Sequence, residues 1–321
     1  MPSPMNPSEV PHYPVLYREV IGHLPESCET FFDGTLGHGG HAKEILSKRK
    51  DLELYFAVDQ DPEVVRRFES DPIDPRVVLI QGNFSEVLSQ REKHFGEKRL
   101  DVVFLDLGTS QYQLKNPSRG FSFLHDGPLD MRMNPGEGIP LSSWISQAEI
   151  EEISGVLRDF GEEKFHFRIA RAIVENRERI TTTLDLAKVI ENCLPKSYLR
   201  KSPIHGATRS FQAFRIFLNR ELESLETALD NAIEALRPGG RILVISFHSL
   251  EDRIVKRRFQ DWESELGVPD ELRHIFKDAR KARGKRNPRK PIRPSMEEIS
   301  ENDASRSARL RVFVRGSDAA N

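Results

Sequence analysis

A glycine-rich turn set between two acids is the part of this chain best suited to chemistry. From Phe31 the sequence runs Phe-Phe-Asp-Gly-Thr-Leu-Gly-His-Gly-Gly-His-Ala42, and Leu54-Tyr-Phe-Ala-Val-Asp59 adds a second apolar run ending in an acid. A buried strand ending at Asp33, a backbone that can turn sharply and approach a ligand at its glycines, and a helix that follows make a nucleotide-type cofactor pocket. Asp59, at the tip of the next strand, stands where a carboxylate accepts hydrogen bonds from ribose hydroxyls. Gly37-x-Gly39-x-x-Ala42 also fits the dinucleotide fingerprint, with Asp59 twenty residues after Gly39. An NAD-dependent Rossmann oxidoreductase therefore competes with other nucleotide-cofactor enzymes, and a plain tight turn is the structural alternative.

The elements around the turn repeat a simple pattern. Apolar runs at 30–33, 54–59, 77–81 and 100–106 alternate with helical segments at 62–68 and 84–94, which predicts a parallel sheet with helices on its faces. Asp33, Asp59 and Asp106 each end a strand, so all three point at the crevice beyond the carboxyl ends. From about Lys115 to Asn219 no strand is convincing, and helical spacing at 143–157, 165–176 and 183–194 predicts an inserted all-helical cap. The cap opens with a long Gly/Pro-punctuated loop, 116–135, whose length marks it as functional or ligand-ordered. An apolar stripe from Phe211 to Leu236 predicts one long helix, ended by Pro238-Gly239-Gly240. A fifth buried strand then spans 241–246, a helix 250–260, and a closing strand 309–314. The expected organisation is a discontinuous core, 1–112 and 220–321, with the cap at 113–219.

Composition narrows the class. The chain has 321 residues, 31% of them charged, and no apolar run approaches the ~18 residues of a membrane span. The Pro- and Ser-rich stretch from Met1 to Pro14 lacks a basic-then-apolar signal pattern, so a cytoplasmic address is expected. Cys28 and Cys193 lie far apart and in no C-x-x-C arrangement, so neither a disulfide framework nor a structural zinc site is indicated. His38-x-x-His41 lies in the glycine turn without a third ligand at a recognisable spacing, so no metal is expected. Residues 277–293 hold nine Lys/Arg against one Asp, or +8, which leaves −10 for the rest of a chain of net charge −2. Such a run repels itself into a mobile segment and suits a polyanion partner, unless it is only a solvated linker.

Longer motifs point further. His12-Tyr-Pro-Val-Leu16, Asp33-Gly-Thr-Leu-Gly-His-Gly-Gly-His41, Asp59-Gln-Asp-Pro62, Leu105-Asp-Leu-Gly108, Arg119-Gly-Phe-Ser-Phe123, Gly127-Pro-Leu-Asp-Met-Arg-Met133, Thr208-Arg-Ser-Phe-Gln-Ala213 and Ile245-Ser-Phe-His-Ser-Leu-Glu-Asp-Arg-Ile-Val-Lys256 span nearly the whole chain. In these the sequence resembles the bacterial 16S ribosomal RNA cytosine-N(4)-methyltransferases, S-adenosylmethionine-dependent enzymes that act in the decoding centre. The resemblance implies a class I methyltransferase fold, a Rossmann-like seven-stranded sheet with the helical cap inserted after the fourth strand. It implies 16S rRNA of the small ribosomal subunit as partner and S-adenosylmethionine as cofactor, held by Gly39, Gly40, His41, Asp59, Phe84, Asp106 and Gln113. Where the family commonly has Val-Ser-Ser-Pro-Gln, this chain has Thr109-Ser-Gln-Tyr-Gln113, a less constrained loop.

Cytosine's amine is a poor nucleophile because its lone pair is delocalised into the ring, so the site needs acceptors that localise the pair and help remove a proton. Asp106-Leu-Gly-Thr stands at the strand end where DNA cytosine-N(4) enzymes carry a different motif. His248, Ser246 and the loop acid Asp130 are the other polar groups expected on the rim. His248 either positions the base or relays its proton, with Ser246 bonding nearby, or it is a structural link to the helix that follows. A noncatalytic RNA-binding ribosome-assembly factor and a DNA methyltransferase remain the alternatives, and the sequence leaves the oligomeric state open.

Overall fold

The computed structural model describes residues 14–201, 204–264 and 282–317. Strands β1 (Thr30–Asp33), β2 (Leu54–Asp59), β3 (Val77–Gln81), β4 (Leu100–Asp106), β5 (Leu236–Ser246), β6 (Gly284–Arg286) and β7 (Arg309–Arg315) form one sheet in the order β3-β2-β1-β4-β5-β7-β6. The first five strands are parallel, whereas β7 runs antiparallel to β5 and β6 antiparallel to β7. This is the class I methyltransferase sheet. Helices cover both faces, so a central strand must be apolar on both sides, and β1 is buried at every position. Strand order reverses between β1 and β4, the switch point at which open α/β sheets bind ligands.

The chain divides into two compact units. One comprises 1–59, 63–107 and 225–321 and contains the sheet; the other comprises 60–62 and 108–224. The second unit is helical and has its own core, in which Leu141, Ile153, Leu157, Ile169, Ile173, Leu186 and Phe214 are buried.

Several elements differ from the sequence pattern, each for a local reason. The stripe from Phe211 to Leu236 is carried by two helices, Thr208–Leu218 and Glu221–Ala235, with Arg220 at φ 49° between them and Leu236 already in β5. Asn219 sits at the break, donating Nδ2–H to the Met131 carbonyl at 2.9 Å and accepting the Met133 N–H at 2.7 Å. Likewise the segment 143–157 is split into Leu141–Gln147 and Ile150–Gly161 by a capping box at Glu149. Pro238-Gly239-Gly240 lies within β5, where the register with β4 slips between Leu100 and Val102.

The basic tract is the largest correction. Residues 277–281 lie outside the described residues, but 284–286 form an edge strand on β7 where charge repulsion predicts mobility. Acids from elsewhere relieve the repulsion: Arg283 pairs with Glu234, and Arg286 Nε donates to Glu263 Oε2 at 2.6 Å.

Candidate active site

The glycine turn is assembled by the strand ends themselves. The Gly34 amide donates to the Phe104 carbonyl at the end of β4 and the Leu36 amide to Val58 in β2. Asp59 Oδ2 accepts the Gly37 N–H at 2.8 Å, so the acid after β2 shapes the turn as well as facing its mouth. Gly39 adopts φ 71° and leads into the helix Gly40–Lys48. A Cβ at Gly39 would stand 2.9 Å from Phe68 and 2.8 Å from Ile73, so the close approach that this glycine permits is to protein side chains rather than to a ligand. No side chain caps that helix, which leaves its first-turn amides facing outward from the turn.

Asp33 and His41 begin and end the motif and have different surroundings. Asp33 is buried; Oδ2 accepts the Tyr55 hydroxyl at 2.8 Å and Oδ1 the Thr35 amide at 3.0 Å. Burial lifts its carboxyl to about 6, against the lowering effect of those bonds. Thr35 Oγ1 then accepts the Asp106 amide at 2.7 Å, linking the first strand end to the fourth. His41 lies on the buried side of its helix, its ring 4.8 Å from that of Phe104 and its Nε2 3.5 Å from Asp106 Oδ2. Among the described residues neither ring nitrogen has a hydrogen-bond partner, nor has Asp106 Oδ1, although all three atoms are buried. Phe84 opens the helix Phe84–Ser89 after the Asn83 cap and packs half-buried against the core.

His248 and Ser246 are placed at the end of β5 with partners of their own. His248 is the N-cap of the helix Ser249–Glu263: Nδ1 accepts the Glu251 N–H at 3.4 Å, and Nε2 lies 3.0 Å from Glu251 Oε1 without hydrogen-bond alignment. Glu251 Oε2 accepts the His248 amide at 3.3 Å, which completes a capping box, and the Phe247 amide at 2.9 Å as well. The Ser246 hydroxyl donates to the Arg309 carbonyl across the β5–β7 pair at 3.4 Å. Next along the motif, Asp252 receives Arg311 Nε and Arg309 Nη1, each at 2.7 Å. The structural alternative for His248 thus has direct geometric support.

Gln113 belongs to the helical unit. Its Nε2 donates to Asp61 Oδ2 at 2.9 Å, and its Oε1 accepts the Ser110 amide at 3.1 Å. Arg119 Nη1 reaches the same Asp61 oxygen at 2.6 Å, while Nη2 donates to the Met133 carbonyl at 2.9 Å and the Arg132 carbonyl at 3.1 Å. The loop 116–135 is thereby ordered by protein contacts, not left open for a ligand to order. Its glycines are packed against backbone: at Gly120, φ 72°, a Cβ would stand 2.2 Å from the Pro128 carbonyl oxygen. Asp130 is not a bare rim acid either, since Arg132 engages both of its oxygens at 2.8 Å. Burial alone would raise the Asp130 carboxyl, but the Arg132 bonds hold it below the ordinary range.

The model of the MraW methylase family matches residues 9–316. This chain belongs to that family. It is a methyltransferase, and S-adenosylmethionine is its methyl donor. Among solved structures, an rRNA methylase from Streptococcus thermophilus is similar at 8% identity and TM-score 0.37 over 94% of each chain. NSun6 from Pyrococcus horikoshii is similar at 11% identity and TM-score 0.41, over 99% of this chain and 57% of that one.

The residues present fit the cofactor of a MraW methylase. An uncapped helix start of nine residues offers amides to an anionic group, and Asp59 stands at the neighbouring strand end. Among the described residues no cluster of His, Cys, Asp and Glu could hold a metal, and no helix is long and apolar enough to cross a membrane. His38 turns its Nδ1 to Arg67 instead. Burial pushes the Cys28 thiol up to about 12, far from a reactive thiolate. Sequence reasoning missed Asp61 and Arg119 as a unit, although both lie in quoted motifs. An arginine among loop glycines gives no sign that it will be buried.

Proposed function

We propose that this methylase transfers the methyl group of S-adenosylmethionine to the N4 amine of a decoding-centre cytidine in 16S rRNA of the small ribosomal subunit, in the cytoplasm. What supports the reading most is a family match over nearly the full chain joined to an acceptor, Asp106, at the strand end where an amine must be relieved of a proton. The bound cofactor supplies an electrophilic methyl on sulfonium, and the protein's task is to hold nitrogen, carbon and sulfur in line in a dry site. The amides of Gly39, Gly40 and His41 and the Asp59 carboxylate orient the cofactor, and Phe84 gives it an apolar wall. Gln113 lies in the helical unit, where its amide donates to Asp61 and accepts from Ser110.

The helical unit recognises the substrate. On the sheet unit, Lys285, Lys290 and Arg293 are exposed, and Arg289 is 82% exposed with only a 3.9 Å approach to Glu263, whereas Arg283 and Arg286 are paired closely with glutamates, so the first four are the phosphate contacts. The test has two arms. Calorimetry should give S-adenosylmethionine binding and no NAD binding, and purified small subunits should incorporate tritiated methyl. RNA binding without incorporation would make the chain a noncatalytic assembly factor.

A further inference from the structure

The cluster at the ends of β1 and β4 contains a histidine with no hydrogen-bond partner among the described residues. The His41 imidazole is 8% exposed, and both of its nitrogens and Asp106 Oδ1 are buried without hydrogen bonds. Buried polar atoms are almost always paired, so three orphans in one cluster call for a functional explanation. The other carboxylate oxygen, Asp106 Oδ2, stands 3.5 Å from His41 Nε2, a few tenths of an ångström beyond a hydrogen bond. Exposure is graded across the pair: the Asp106 side chain is 26% exposed, and His41 lies behind it.

We propose that Asp106 and His41 form the proton-accepting dyad of the reaction. Asp106 Oδ2 takes the hydrogen of the attacking amine, and His41 Nε2 receives the proton through it. The inference rests on the reading of the reaction as methyl transfer to an exocyclic amine. The nitrogen lone pair forms the bond to the methyl carbon, and the pair of the broken carbon–sulfur bond stays on sulfur. The pair of the N–H bond returns to nitrogen, and the proton ends on the imidazole. An imidazole is the better final acceptor, since its ordinary pKa lies well above that of a carboxylate. The buried ring gives bulk water little access to the proton. Asp106, Asp33 and Glu298 face the imidazole, the last accepting the Leu16 amide at 2.7 Å. His41 therefore acts through its side chain on the substrate proton, beyond the cofactor contact of its backbone amide.

The first test needs no substrate. The imidazole nitrogen resonances of His41 in the free protein should shift on Asp106→Asn, and unchanged resonances overturn the pairing. The second compares single-turnover methyl transfer by wild type and His41→Gln at saturating cofactor across neutral pH. Wild type should rise with pH through one ionisation; His41→Gln should lose on the order of 10²-fold in rate and the rise with it. Calorimetric affinity for S-adenosylmethionine should stay within about twofold. A rate within about twofold of wild type with the same pH profile overturns the dyad, as does an affinity loss as large as the rate loss. Should His41→Gln not fold, the pH profile of Asp106→Asn decides in the same way. A wild type that transfers nothing fails the functional reading, and the resonance test then stands apart from it.

Discussion

Two buried polar clusters in this molecule are built by opposite rules. In the helical unit, Asp61 is fully buried and accepts from Gln113 and Arg119, and Arg119 Nη2 donates to two loop carbonyls. In the sheet unit, His41 and Asp106 leave three buried atoms unpartnered. Leaving a buried donor or acceptor unmade costs about 1–3 kcal/mol, so the second cluster is held against its own energetics by the surrounding fold. The satisfied cluster is architecture, fixing the loop 116–135, whereas the unsatisfied one is where a substrate or cofactor has something to complete.

The sharpest way to break this contrast is to remove a partner from the satisfied side. Arg119→Ala would strand the buried Asp61 carboxylate and should cost about 3–5 kcal/mol of stability by urea unfolding. A loss below about 1 kcal/mol would show that the node is not architecture. Asp59→Ala should leave the fold intact while weakening cofactor binding by about 1–3 kcal/mol by calorimetry. Unchanged affinity would remove Asp59 from the site.

His248 offers a sharper comparison with His41, because both stand at helix starts, His41 buried and His248 half-buried, and only His248 caps its helix. His248→Ala should cost about 1 kcal/mol of stability, as a lost N-cap does, and keep the methyl-transfer rate within about twofold. A large rate loss at unchanged stability would return His248 to the chemistry.

A pH-dependent effect concerns Asp33. Its folded-state carboxyl titrates near 6 against an ordinary 3.8, raised by burial, so the native state holds the proton more tightly than the unfolded chain. The stability this confers is present below the ordinary value and is lost as pH rises through the folded one. D33N keeps an acceptor for the Tyr55 hydroxyl without the charge. Relative to wild type it should gain stability between about pH 4 and 6, and parallel stability curves would contradict the burial argument.

The core strands were legible because a parallel strand covered on both faces must be a continuous apolar run, as Phe31, Phe32 and Val102 to Leu105 are. The glycine turn was legible because its conformational demands fall on adjacent residues. The breaks were not. Asn219 interrupts an unbroken apolar stripe in order to bond backbone groups 86 and 88 residues earlier, which no local pattern records. Strand β6 was hidden for a similar reason, since the acids that neutralise it, Glu234 and Glu263, lie far from it in sequence. In the candidate site the strand-end acids were found by position. The different fates of His41 and His248 needed the partners each ring meets in three dimensions.

The central claim is that an amine of cytosine is methylated, and identifying the labelled nucleoside tests it most directly. Small subunits lacking the modification, incubated with the protein and tritiated S-adenosylmethionine and digested to nucleosides, should place the label in N4-methylcytidine. Label in a carbon-methylated or ribose-methylated nucleoside would contradict the account, because neither product draws its proton from the amine that Asp106 is proposed to relieve.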